Sequence, residues 1–97
     1  MPFESPAPPI AAQSLGSARK GFRGRIVRVG GDAAAPTGLP PGELERRLLE
    51  IGFIEGARVE ILHEGLFGRD PIAVRVNETT VALRRREAAA ILAAPLD

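Results

Sequence analysis

The 97-residue chain has no cysteine, no tryptophan and no tyrosine, and it has a single histidine. Without cysteine there is no disulfide, thiolate zinc site, iron–sulfur cluster or cysteine nucleophile. The same absence fits a reducing compartment. No apolar run approaches the ~18 residues of a membrane span. The opening MPFESPAPPIAAQS lacks a basic segment followed by a continuous apolar one, so no secretory signal is expected. The expectation is a cytoplasmic location without direct membrane insertion. A strong excess of one charge is missing too: 13 basic residues face 12 acidic ones, for a net charge of +1. Proteins whose main task is binding nucleic acid or anionic lipid carry a clear basic excess, so neither is expected as a partner.

Scarcity also removes most catalytic chemistry. His63 stands in no H-x-x-H, H-E-x-x-H or H-x-C pattern, and metal sites need three or four convergent ligands. Only a weak set can be drawn up, His63 with the carboxylates Glu60 and Asp70 (and Glu64 nearby); a solvated surface histidine is the plainer reading. Ser5, Ser14 and Ser17 all fall in a loose N-terminal stretch that offers a serine–histidine pair no scaffold. The glycine-rich segment Gly30 to Gly42, GGDAAAPTGLPPG, contains neither G-x-x-x-x-G-K-[ST] nor G-x-G-x-x-G. No catalytic residue, no cofactor and no enzyme are expected.

What is present is one small domain. Pro2, Pro6, Pro8 and Pro9 mark residues 1–14 as a disordered, proline-rich tail. Phe22 to Val29 reads as a first strand, followed by a flexible loop over 31–42. A short helix is expected from about Gly42 to Ile51. Pro41 suits its first turn, and Leu44, Leu48 and Ile51 recur at i, i+4, i+7 on an apolar face expected to plug the core. Glu43 and Glu45 lie near its positive end, and Arg46, Arg47 and Glu50 form the polar face. Gly52 suits the left-handed position after the helix, with Phe53 folding back on the last turn and Glu55-Gly56 turning into the next strand.

That strand is expected over Arg58 to Glu64, with Val59, Ile61 and His63 on one side. A loop from Gly65 to Asp70 carries Leu66 and Phe67, which either close one end of the core or stand exposed for a partner. Pro71 opens a third strand, and Asn77-Glu78 is a hairpin turn into a fourth strand ending at Arg84. Glu78 is a poor fit to a position favouring φ > 0, which predicts local strain or a longer loop. Arg85 to Leu92 reads as a second helix stopped by Pro95. Four or five short strands with an inserted helix predict a small, partly closed barrel, because closure removes exposed edges.

From Arg47 onward the pattern becomes specific through order and spacing. Arg47-Leu48, Glu50, Gly52-Phe53, Gly56 and Val59 are followed by Asp70-Pro71, Ala82-Leu83-Arg84, Glu87-Ala88 and Ile91. Upstream, Gly21 to Val29 has the form G-x-x-G-x-I. Over about residues 14 to 92 the chain resembles the FeoA family, small cytoplasmic proteins of bacterial ferrous-iron uptake. Three features depart from the family pattern: Glu78 where a hairpin glycine usually sits, Glu55 where proline is commoner, and a longer 31–42 loop.

The resemblance implies a mainly β fold, an SH3-like barrel over 15–94, with a short helix after the first strand and a short C-terminal helix. It implies an accessory role and a partner, the cytosolic GTPase region of the membrane transporter FeoB. Transition-metal binding is also attached to the family, although the ligands available here give it little support. An alternative is a stand-alone version of the barrel that serves a metal-dependent transcriptional repressor. A proline-peptide SH3 module is disfavoured, since its groove needs the aromatics this chain lacks. Leu66, Phe67 and Arg69, together with Arg46 and Arg47, are the expected protein contacts, because apolar and arginine side chains dominate interface energetics. Weak self-association is a further expectation.

Overall fold

The computed structural model describes residues 12–30 and 42–96. Most of the expected tail and the 31–41 part of the expected loop lie outside these residues. Six antiparallel strands run β1 (Gln13–Ser14), β2 (Arg23–Val29), β3 (Arg58–Phe67), β4 (Asp70–Val76), β5 (Thr79–Leu83) and β6 (Ile91–Pro95). Their spatial order is β1-β6-β2-β3-β4-β5. Helix α1 (Glu43–Ile51) joins β2 to β3, and the single turn α2 (Arg85–Ala88) joins β5 to β6. The architecture is an SH3-like barrel.

Two strands were not foreseen. Gln13 and Ser14, assigned to the tail by their proline-rich neighbourhood, pair with Ala93 and Leu92 of β6. The fully buried Leu15 anchors them, inside a 3-10 turn that Ser14 caps by accepting from the Gly16 N–H at 3.0 Å. That turn packs so tightly on α2 that a Cβ at Gly16 would lie 2.8 Å from the Arg85 carbonyl oxygen. The second correction concerns Ile91 and Leu92, which the alanine-rich sequence placed in a helix. They belong to β6, where Ile91 pairs with Val29 and is fully buried. Helix propensity is worth a few tenths of a kcal/mol per residue, whereas burying an isoleucine is worth ~1.5–3 kcal/mol, so packing decides.

Strand β3 is longer than its sequence suggests and carries a bulge. Pairing moves from Ile61↔Val74 to His63↔Ala73, so β3 has one residue more than β4 across that step. The inward–outward alternation slips there: Val59 and Ile61 are buried, but His63 is exposed rather than on their side. Beyond the bulge β3 continues through Leu66 to Phe67, which pairs with Asp70. The expected Gly65–Asp70 loop is therefore a hairpin end, with Gly68 and Arg69 (φ 70° and 59°) as its two-residue turn. The β4–β5 turn also has two residues, closed by Val76↔Thr79. Of Asn77 and Glu78 only Asn77 has positive φ, 54°. Glu78 thus escapes the expected strain without a longer loop.

The core is one cluster containing Leu15, Ile26, Leu44, Leu48, Phe53, Val59, Ile61, Ile72, Val74, Val76, Leu83 and Ile91. Gly52, at φ 124°, ends α1 and donates to the carbonyls of Leu48 and Leu49. The turn it makes sends Phe53 fully inside, with the Phe53 N–H bonded to the Leu48 carbonyl at 2.9 Å. Ile51, expected to plug the barrel, is instead 38% exposed. The space under the last turn goes to Phe53.

Candidate functional site

The β3–β4 hairpin is the longest arm of the molecule, and its two ends carry different surfaces. At the far end Leu66 and Phe67 are 94% and 88% exposed. Two consecutive apolar side chains fully in water cost free energy that nothing within the fold recovers. They are not end-plugs of the core but stand exposed. The exposed Arg69 sits in the turn beside them.

This tip is held in place. Arg85, at the start of α2, donates from Nε to the Arg69 carbonyl at 2.7 Å and from Nη2 to Glu64 Oε2 at 2.8 Å. Its Nη1 donates to the carbonyl of Ala18 at 2.7 Å and, more weakly, to that of Gly16 at 3.4 Å. The Arg85 backbone N–H donates to Asp70 Oδ1 at 2.9 Å. One guanidinium thus ties hairpin, N-terminal turn and α2 together. Its planar fork of five donors suits this task, which an ammonium could not perform. In sequence Arg85 is the middle of Arg84-Arg85-Arg86, a charge run that suggests a solvated helix start or else a patch for phosphate or an acidic partner.

At the opposite end lies α1. Gly52 there approaches Val76, the last residue of β4, while Asp70, the first, pairs at the hairpin tip. Arg46 and Arg47 are exposed on α1. Near them, Leu49, Ile51 and Ile54 are 41%, 38% and 49% exposed, which the sequence reading did not foresee. The doubled apolar pairs Leu48-Leu49 and Phe53-Ile54 were the signal for Leu49 and Ile54, since only one member of each pair can face the core. The five expected contact residues therefore form two groups, Leu66, Phe67 and Arg69 at one end and Arg46 and Arg47 at the other.

The weak metal set does not come together. Glu60 pairs across β3 with Arg23 on one side and Arg75 on the other. His63 lies opposite Ala73 beyond the bulge, and Asp70 is engaged by the Arg85 N–H. Among the described residues no three His, Cys, Asp or Glu side chains converge. The described residues do not fit a resident metal. The flanking arginines of Glu60 also line an open cleft of about 210 Å³ with Arg58, Asn77 and Leu96. No helix among the described residues is long and apolar enough to cross a membrane.

Comparison with known proteins places this geometry. No curated protein matches the chain. Among solved structures, the FeoA protein from Chlorobium tepidum superposes with a TM-score of 0.69 at 28% identity, over 88% of this chain and 71% of that one. Stenotrophomonas maltophilia FeoA, solved with zinc and described as a prokaryotic SH3 domain protein, gives a TM-score of 0.67 at 28% identity, over 84% of this chain and 88% of its own. A manganese-dependent transcriptional repressor gives 0.73 at 26% identity; 94% of this chain matches 45% of that larger protein. The FeoA domain family matches residues 13–95, nearly the whole chain. By fold, by the spacing of its motifs and by this match, the chain belongs to the FeoA family.

Proposed function

We propose that this chain is a non-enzymatic accessory protein of bacterial ferrous-iron uptake that docks on the cytosolic GTPase region of a FeoB-type transporter and modulates it. The observation that carries the docking site is the pair Leu66 and Phe67, 94% and 88% exposed at the end of a hairpin pinned by Arg85. A pre-ordered apolar tip next to an arginine loses little conformational entropy on binding and buries much apolar area, as interface anchors do.

The test is a titration with the transporter's isolated cytosolic domain. The Leu66→Ala/Phe67→Ala double variant is expected to bind about 10- to 100-fold more weakly, with unchanged folding stability because both side chains are solvated. Wild-type-like binding by that variant would sink the site; failure of the wild type to bind would sink the partner. An Arg46→Ala/Arg47→Ala variant reports separately on the α1 end.

A second reading rests on the superposition with the manganese-dependent repressor, of which this chain matches less than half. In it the barrel serves as the interaction module of a separate DNA-binding protein. Copurification with a helix-turn-helix protein, and not with the transporter, would favour it.

A further inference from the structure

Among the described residues the barrel leaves the edge of β5 open: strand β5 pairs only with β4 and ends the sheet. The ladder fixes which of its backbone groups face outward. The Ile61 N–H bonds to Phe22 of the β2 side, while the Asn77 N–H bonds to the Arg58 carbonyl. Ile61 and Val59 therefore bond toward β2, and Arg58 and Glu60 toward β4. By the same alternation Arg75 bonds toward β3, and Val74 and Val76 bond toward β5. Thr79, Val81 and Leu83 return those bonds. The N–H and C=O groups of Thr80 and Ala82 point away from the sheet, and no backbone or side-chain partner meets them among the described residues. Both residues are exposed.

We propose that this edge pairs with the same edge of a second copy of the chain, antiparallel, about a two-fold axis through Val81. The register follows from three observations. First, centring on Val81 sets Thr80 opposite Ala82 of the other copy, twice over. All four outward N–H groups then meet outward carbonyls, while the two Val81 side chains face each other at a close non-hydrogen-bonded pair.

Second, the register places Glu78, one residue before the strand, opposite Arg84, one residue after it. The two charges are opposite in sign, and symmetry makes the pair twice. Third, the neighbouring registers fail. Centring on Ala82 calls on the Arg84 N–H, which already donates to Glu87 Oε1 at 2.9 Å. Centring on Thr80 calls on Glu78, which lies in the turn. Nothing along β5 itself guards the edge: Thr79-Thr80-Val81-Ala82-Leu83 holds no charge and no proline, the usual devices against such pairing. The small Thr80 and Ala82 side chains let a second strand approach.

The full chain decides the matter without any other protein. Sedimentation equilibrium is expected to show a weak monomer–dimer equilibrium, with concentration-dependent amide shifts confined to residues 78–84 and slowed exchange at Thr80 and Ala82. Ala82→Pro removes an N–H that the fold itself does not use, and is expected to leave a folded monomer. Arg84→Glu and Glu78→Arg should each weaken the dimer about 2- to 30-fold, from two exposed ion pairs. The double charge swap should restore it, a result that mere destabilisation cannot produce. A chain that stays monomeric at every concentration overturns the proposal. So does a dimer that survives Ala82→Pro, or one that the charge swap fails to rescue.

Discussion

Replacing Arg85 with alanine should be among the most damaging single changes this fold can suffer outside its apolar core. The side chain makes three hydrogen bonds of 2.7–2.8 Å, to two carbonyls and to Glu64. It and Glu64 are each only 18% exposed. Hydrogen bonds involving a charged group are worth ~1.5–3 kcal/mol each, and stripping one partner from a buried ion pair costs ~3–5 kcal/mol. These figures overlap, and the residual exposure lets water replace part of what is lost. A net destabilisation of about 2–4 kcal/mol follows, against a total stability of ~5–15 kcal/mol. For a domain of this size that lowers Tm by about 10–30 °C. Arg85→Lys should fall in between, since an ammonium keeps the charge but not the fork.

The assay is urea and thermal unfolding followed by circular dichroism, the chain having no tryptophan to report by fluorescence. A double-mutant cycle with Glu64→Gln separates the ion pair from the carbonyl contacts. A loss below about 1 kcal/mol for Arg85→Ala would refute the assignment of Arg85 as the tie between hairpin, N-terminal turn and α2. So would Arg85→Lys matching the wild type. Because Arg85 holds the Arg69 carbonyl, its loss should also loosen the Leu66–Phe67 tip, visible as faster amide exchange there.

Two further outcomes rest on separate parts of the structure. Phe53→Ala empties the fully buried site beneath α1 and should cost ~3–5 kcal/mol in denaturant unfolding; a cost near zero would mean that Ile51 can swing in to replace it. Glu78→Gly should destabilise by ~0.5–1 kcal/mol, because Glu78 has no positive φ and glycine only adds freedom to the unfolded chain. A gain in stability would contradict that backbone geometry.

Local chemistry determined much of this protein without help from the tertiary fold. Gly52 ends α1 because only a residue without a Cβ readily takes φ 124° there. The alternation of Ile72, Val74 and Val76, and the two-residue turn at Asn77-Glu78, follow from β-branched side chains and asparagine's tolerance of positive φ. The spacing of these pieces was enough to indicate the family and the barrel. Where a residue's fate depends on who sits opposite, the sequence fell silent. Gln13-Ser14 and Ile91–Pro95 are strands only because they find each other about 80 residues away, and Ile91–Pro95 also finds β2. His63 faces water because of a bulge that its own segment does not announce. Leu66 and Phe67 are apolar in any reading, and burial alone could say whether they join the core or stand in water. Arg85 looked like one of three adjacent surface charges; its neighbours in space, from the N-terminal turn, the hairpin and Glu64, make it a structural tie. Periodicity and turn chemistry act over a few residues, while pairing, register and burial are collective properties of the folded chain, and at both ends of the hairpin they decided what was left exposed.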